Sequence, residues 1–310
     1  MRGLVVKSTG SWYSVRTDNN LIIECRLTGK IRLDDRKTTN PIAVGDNVEI
    51  EVENNEGKIV SILPRKNYII RKSINLSKQA HILASNLDQA FLIATLVAPR
   101  TSLGFIDRFL ITAEAYHIPA KIIFNKIDVL DDELQQIQDS IINLYSQIGY
   151  ECFKISALNS ADIELIKKQL KDKTTLIAGH SGVGKSTLIN AIEPSLTLRT
   201  GDISQAHLKG THTTTFAELF PLSFGGNIID SPGIKELGLV EMKKEEVGHY
   251  FPEIRQRMNE CKFNNCLHVN EPKCAVLTAL QEGLISEERY QSYLGILNGE
   301  EMDWKEWEIK

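Results

Sequence analysis

The chain has 310 residues, 42% of them hydrophobic and 25% charged, a balance that excludes whole-chain disorder and leaves room for two or three packed domains. The longest apolar run, Ala90–Ala98 with Thr95 inside it, is nine residues, against the roughly 20 that a membrane-spanning helix needs. A net charge of −4 argues on its face against a nucleic-acid partner, but residues 1–80 hold 14 Lys/Arg and 9 Asp/Glu, so a basic end of +5 joins a remainder of −9.

Within the basic end, Ser61–Ala80 carries Arg65, Lys66, Arg71, Lys72 and Lys78 with no acid. Charge alone fits a polyanion-facing module and a solvated linker equally. The N-terminus has one short apolar run, Leu4–Val6, and no cleavable signal pattern, so the protein is expected to stay in the cytoplasm. Gly3–Val6, Trp12–Arg16, Leu21–Cys25, Val48–Val52 and Lys58–Ile62 alternate or are β-branched, with turn residues such as Gly10, Asp18-Asn19-Asn20, Gly29 and Gly57 between them. This pattern predicts a small closed β-barrel over residues 1–70, the OB-fold being the commonest such barrel that binds oligonucleotides. Trp12 and Tyr13 suit either base stacking or the barrel core.

From about residue 88 the pattern changes. Apolar runs at Ala90–Val97, Ala120–Phe124, Cys152–Ile155, Thr174–Ala178 and Asn227–Ile229 alternate with helical stretches at Ile106–Tyr116, Asp131–Ile148, Asp162–Lys171 and Ser186–Ile192. Short continuous apolar strands separated by helices predict a parallel sheet covered on both faces, an α/β domain over residues 71–240. Beyond Leu239 no apolar strand recurs, and residues 241–310 read as a cysteine-bearing segment followed by an acidic, mainly helical tail.

Asn125-Lys126-Ile127-Asp128 follows the strand Ala120–Phe124 and so sits at a strand's carboxyl end, where ligands bind in such sheets. A carboxylate at Asp128 would accept from guanine N1–H and the 2-amino group, a donor pair that adenine lacks. Asn125 would brace the loop and purine, and the Lys126 stem would cover the base. Ser156-Ala157, after the strand ending at Ile155, fits a further element whose backbone N–H meets guanine O6.

The strongest local signal is Gly179-His180-Ser181-Gly182-Val183-Gly184-Lys185-Ser186, with Thr187 next, between the strand Thr174–Ala178 and a helix ending near Pro194. Its glycines let backbone N–H groups close around phosphate oxygens, and the helix N-terminus adds a positive dipole. Lys185 places a charge near the β- and γ-phosphates, where catalysis needs it, and Ser186 can ligate Mg²⁺. Asp230-Ser-Pro-Gly233 fits D-x-x-G, with Asp230 approaching Mg²⁺ through water and the Gly233 N–H sensing the γ-phosphate. Between them lie His212 and Thr213-Thr214-Thr215, of which Thr214 is favoured to close over Mg²⁺ and act in catalysis. Ile234 follows Gly233 where Ras-like enzymes carry a water-orienting Gln, which leaves His212 as the candidate catalytic replacement. The base-reading elements precede the phosphate-binding ones, the reverse of the usual order, and define a circular permutation.

Cys261-x4-Cys266-x-His268-x5-Cys274 supplies three thiols and one imidazole within 14 residues. This matches a tetrahedral structural zinc set with no open position. Cys25 and Cys152 stand apart and are expected in cores.

Taken together, the barrel, the permuted motif order, GHSGVGKST at 179–187, NKID at 125–128, HTTT at 212–215, DSPGI at 230–234 and the four metal ligands resemble the bacterial small-subunit-dependent GTPase A (RsgA) family over essentially the whole chain. The resemblance implies an OB-fold barrel, a circularly permuted P-loop GTPase domain and a C-terminal zinc-binding domain. It also implies GTP hydrolysis stimulated by the small ribosomal subunit, late maturation of that subunit through contact with its rRNA, and GTP/GDP with Mg²⁺ plus one structural Zn²⁺ as cofactors. Nothing demands more than a monomer. Read without the resemblance, the residues leave open a nucleotide-gated RNA-binding module with incidental hydrolysis, and a P-loop kinase or ATPase.

Overall fold

Alternation of apolar side chains closes five strands within residues 1–62 into a barrel. The computed structural model describes residues 1–27, 41–53, 56–72, 80–196, 217–230 and 242–299. Strands β1 (Arg2–Ser8), β2 (Tyr13–Thr17), β3 (Ile22–Leu27), β4 (Asn47–Glu53) and β5 (Glu56–Ile62) form the barrel. Along β2 the residues Tyr13, Val15 and Thr17 are buried and those between them half-buried, which is the period-2 signature. β1 pairs with both β2 and β4, β3 runs parallel to β5, and β5 pairs with β4, so the order β1-β2-β3-β5-β4 returns to β1 as an OB-like barrel without a free edge. Val5, Tyr13, Val15, Cys25, Val48, Ile50 and Ile59 fill it. Gly57 faces Cys25 across β3 and β5, and a Cβ there would lie 2.3 Å from the Cys25 sulfur, so only glycine lets these strands meet.

A hairpin of β6 (Tyr68–Lys72) and β7 (Ala80–Ser85) follows. It is locked to the barrel by Asp46, whose fully buried carboxylate accepts from Arg65 at 2.6 Å, Ser85 Oγ at 2.6 Å and the Ala43 N–H at 2.8 Å.

The central sheet has strands β8 (Gln89–Ala94), β9 (Ala120–Phe124), β10 (Glu151–Lys154), β11 (Thr174–Ala178), β12 (Glu218–Pro221) and β13 (Asn227–Asp230), in the order β10-β9-β8-β11-β13-β12. Helices α1 (Leu103–Ala115) and α2 (Asp132–Ile148) cover one face, and α3 (Ser160–Leu170) and α4 (Lys185–Ile192) the other. Successive β8 residues serve opposite cores: Leu92 packs with Phe109 of α1 and Tyr145 of α2, while Phe91 and Ile93 pack with Ile166 of α3 and Leu188 of α4. That is why the strand reads as a continuous apolar run. The chain winds outward from β8 through β9 to β10, then returns to the other side of β8 at β11. The reversal opens a crevice at the carboxyl ends of β8 and β11.

Two elements differ from the sequence expectation. β12 is antiparallel to β13, so the sheet is not wholly parallel, and the β6–β7 hairpin was not anticipated. β12 has four residues, ends in Pro221 and returns through Gly225-Gly226, too short to show a period. It also joins the two sheets, through the β1 register Lys7↔Glu218 and a 3.3 Å ion pair between those side chains.

The C-terminal region is helical: α5 (Lys244–Val247), α6 (Pro252–Arg255), α7 (Ala275–Gln281) and α8 (Glu287–Asn298). Its core of Val247, Phe251, Ile254, Val276, Tyr290 and Tyr293 takes in Ile111 from α1. Arg289 fixes the docking. Its guanidinium is fully buried and pairs with Asp107 of α1 at 2.7 Å and Glu253 at 2.6 Å, beneath the Phe251 ring at 4.7 Å. The Tyr145 hydroxyl donates to the same Asp107 at 2.7 Å, its proton retained because burial and the neighbouring carboxylate push that phenol well above its ordinary value. No helix among the described residues is long and apolar enough to cross a membrane.

Removing the guanidinium strands the buried Asp107 carboxylate and takes the partner from half-buried Glu253. Arg289→Met should cost about 3–5 kcal/mol of stability in chemical denaturation. A loss below about 1 kcal/mol would show that the ion pair does not hold the C-terminal region to α1.

Candidate nucleotide-binding site and metal centre

The loop from Gly179 to Ser186 leaves β11 at the crevice and enters α4. Two of its glycines are required by neighbours. Gly179 has φ +145° and a Cβ there would lie 2.4 Å from the Ile93 carbonyl oxygen. Gly184 has φ +93° and a Cβ would lie 2.4 Å from Asn125 Nδ2. Val183 is buried, Ser181 and Gly182 are exposed, and Ser186 and Thr187 stand in the first turn of α4. Lys185 Nζ donates to the carbonyls of Gly179 at 2.6 Å and His180 at 2.7 Å. Burial pulls the Lys185 ammonium below its ordinary value and the nearby Asp230 carboxylate partly restores it; burial likewise pushes Asp230, at the end of β13, above its own. Lys185 at the start of α4 and Asp230 at the end of β13 are therefore near enough for each charge to act on the other.

Asn125, at the end of β9, is 2% exposed and uses both ends of its amide. Nδ2 donates to the Val183 carbonyl at 2.9 Å, and Oδ1 accepts from the Ala157 N–H at 3.0 Å. One side chain therefore binds the Gly179–Ser186 loop to the Ser156–Ala157 turn beyond β10. Lys126 has φ +65° and donates from Nζ to the Ala98 carbonyl at 2.6 Å, while Asp128 is exposed in the short turn that follows. Ser156 is held from behind, its N–H donating to Asp162 Oδ2 at 2.8 Å. Both N–H groups of Ser156-Ala157 are thus engaged within the protein, so a contact from Ala157 to guanine O6 requires that N–H to be shared with, or exchanged from, Asn125.

The structure therefore brings Asn125, Lys126, Asp128, Ser156, Ala157, Gly179 through Thr187 and Asp230 to one end of the sheet. His212, Thr213, Thr214, Thr215, Gly233 and Ile234 lie outside the described residues. The sequence reading missed the β8–α1 connection. Its Ala98 carbonyl meets Lys126, its Pro99 ring would lie 3.2 Å from a Cβ on Gly182, and Phe105 beyond it stacks on His180. A contact made by a carbonyl leaves no signature in side chains. Asp162, three residues past the Asn159 cap of α3, reads in sequence as an ordinary first-turn acid, and only the fold shows its carboxylate accepting from the Ser156 N–H.

In the C-terminal region the ligand atoms of Cys261, Cys266, His268 and Cys274 all lie within 4.8 Å of one another. Cys261 Sγ is 3.8 Å from Cys274 Sγ, and His268 Nδ1 is 3.6 Å and 3.4 Å from those two sulfurs. Tetrahedral zinc with Zn–S bonds of about 2.3 Å spaces its sulfurs by about 3.8 Å, so the cage fits. Burial pushes the Cys266 thiol up to about 12, and the nearby Cys274 and Cys261 add to the rise. Three sulfurs and an imidazole gathered this closely form a ligand set for one cation. The His268 backbone has φ +56° and is shaped from outside. Glu271 accepts from the N–H groups of Leu267 at 2.7 Å and Val269 at 2.8 Å, Tyr290 donates to the His268 carbonyl at 2.7 Å, and Tyr293 donates to that of Leu267 at 2.6 Å. Burial alone would raise the Glu271 carboxyl, but these amides hold it down to about 2. Of the two lone cysteines, Cys25 is buried and Cys152 half-buried against the sheet core.

Residues 62–240 match the family model for the RsgA GTPase, and residues 2–60 that for the RsgA N-terminal domain. Proteins named small ribosomal subunit biogenesis GTPase RsgA from Bacteroides fragilis (strain YCH46) and Phocaeicola vulgatus are 55% and 57% identical to the chain over 303 residues, covering 97% of each sequence. The crystal structure of YjeQ from Thermotoga maritima superposes with a TM-score of 0.78 at 35% identity, over 96% of this chain and 97% of that one. The structure of YloQ, described as a circularly permuted GTPase, superposes at 0.73 with 32% identity, over 96% and 94%. Matched by these two family models over residues 2–60 and 62–240 and by relatives over nearly its whole length, the chain belongs to the RsgA GTPase family and is a GTP-hydrolysing enzyme.

Proposed function

We propose that this GTPase binds the small ribosomal subunit during its biogenesis, contacts its rRNA, and hydrolyses GTP in response. The observation that carries the nucleotide reading is the Asn125 amide, which ties a loop of phosphate-binding composition to the two turns expected to read the base. In this reading the N–H groups of Gly182 through Ser186 face the phosphates, and Lys185 moves its ammonium from the Gly179 and His180 carbonyls to the β- and γ-phosphates. Asp128 accepts from guanine N1–H and the 2-amino group, with the Lys126 stem against the ring. Ser186, Thr214 and, through water, Asp230 would hold Mg²⁺, which supplies charge neutralisation for the transferred phosphoryl group. Gly233 would sense the γ-phosphate, and His212 would orient the attacking water where Ile234 cannot. The subunit as partner is supported by the names of the relatives, and rRNA contact by the charge of the first 80 residues.

GTP turnover should rise when purified small subunits are added, and the stimulation should fade as salt is raised, because phosphate contacts release counterions. Equal turnover with and without subunits would overturn this reading.

The metal centre is assigned to one structural Zn²⁺ held by Cys261, Cys266, His268 and Cys274, with every coordination position filled by protein. Metal analysis of the purified protein should find one zinc per chain. Cys261→Ser should lose it together with thermal stability of the C-terminal region. Metal-free protein of full stability would contradict the assignment.

A further inference from the structure

The segment from Thr95 to Phe105 has no assigned role, yet it touches the candidate nucleotide site at three places. The Ala98 carbonyl takes the Lys126 ammonium at 2.6 Å. Pro99 packs under Gly182, close enough that a Cβ there would lie 3.2 Å from its Cδ. The Phe105 ring lies against the His180 imidazole with centroids 3.8 Å apart and planes at 31°. The segment is itself held firmly. Thr101 donates its N–H to the Thr95 carbonyl at 2.8 Å and accepts the Thr95 N–H on its hydroxyl at 3.0 Å, Thr95 Oγ1 donates to the Pro99 carbonyl, and Ser102 caps α1 at the Phe105 N–H at 3.3 Å. Two residues beyond Phe105 on the same helix, Asp107 is clamped by Arg289 and Tyr145. Phe105 is thus a fixed platform, and His180 rests on it.

His180 is also the residue whose carbonyl, with that of Gly179, receives Lys185 Nζ. The aromatic contact therefore fixes a stretch of backbone through which the phosphate-binding lysine is placed. We propose that Phe105 is a positioning residue for nucleotide binding: its ring seats His180 and so holds the Gly179–Gly182 backbone in the conformation that receives the phosphates. This rests on the reading of Gly179–Ser186 as the phosphate-binding loop. Phe105 touches no substrate in this scheme, so its loss should act on how long a nucleotide stays bound.

The test is the dissociation rate of a fluorescent GDP analogue from the full-length protein and from Phe105→Ala, Phe105→Tyr, His180→Ala and the double alanine variant, with thermal unfolding measured on each. Aromatic pairs of this kind contribute enough that Phe105→Ala should release the analogue about three- to tenfold faster. Phe105→Tyr, which keeps the ring, should stay within about twofold of the parent. His180→Ala should match Phe105→Ala, and the double variant should be no faster than either single one, because both remove the same contact. Unchanged dissociation in Phe105→Ala, additive effects in the double variant, or a failure of tyrosine to rescue a variant of parental thermal stability would each overturn the inference while leaving the nucleotide reading intact. Failure of the parent protein to bind the analogue at all would overturn the nucleotide reading and the inference with it.

Discussion

One buried amide organises the candidate site. Asn125, only 2% exposed, joins the backbone of the Gly179–Ser186 loop to the Ser156–Ala157 turn through the two ends of one amide. Its partners are a backbone carbonyl and a backbone N–H, each of which would cost about 1–3 kcal/mol if left buried and unpaired. The donor end must face Val183 and the acceptor end Ala157, so an aspartate would set oxygen against oxygen on the loop side. The same amide explains a glycine far away in sequence, since Gly184 leaves the space that Nδ2 occupies. This interaction is indifferent to chain order. Once β8, β9, β10 and β11 lie side by side and parallel, their carboxyl ends converge, whichever was made first. A circular permutation therefore leaves the crevice unaltered while changing what is attached to it.

What is attached here is decided by two edges of the central sheet's domain. On one side β12 pairs with β1, so that the barrel continues the sheet, and Arg16 of β2 reaches Asn227 of β13 at 2.9 Å. On the other, α1 takes the C-terminal helices onto its outer face through Ile111 and the Asp107–Arg289 pair. That helix also presents Phe105 toward His180 in the Gly179–Ser186 loop. A buried ion pair adds little net stabilisation compared with apolar packing, but breaking it is costly, and here its partners lie on α1 and α8 and so link the C-terminal region to the central domain. A metal held by Cys261, Cys266, His268 and Cys274 would stiffen a region whose helices, of four to twelve residues, would hold poorly on propensity alone.

Much of this was legible in the residues. Every barrel strand and five strands of the central sheet showed as alternating or continuous apolar runs, because their burial pattern is the pattern of the sequence. The cysteine spacing announced four ligands, and the structure gathers them within 4.8 Å. Net charge averaged over the chain hides the basic balance of its first 80 residues. Other features left no trace. No Gly or Pro stands between Lys72 and Ala80 to signal the β6–β7 hairpin, and β12 is too short to display a period. The Lys126–Ala98 contact is made by a carbonyl, which every residue possesses. Glu271 looked like one acid among many, and only the fold shows it gathering the N–H groups around His268. Asp107 and Arg289 are 182 positions apart, and nothing local marks them as partners.

The most direct test is displacement of a fluorescent GDP analogue from the full-length protein by unlabelled GTP and by ATP. A site assembled from the Gly179–Ser186 loop, Asn125, Asp128 and the Ser156–Ala157 turn predicts that GTP displaces the analogue at concentrations at least about a hundredfold below those at which ATP does, since adenine leaves the Asp128 carboxylate without its two donors. Equal displacement by ATP and GTP would contradict it.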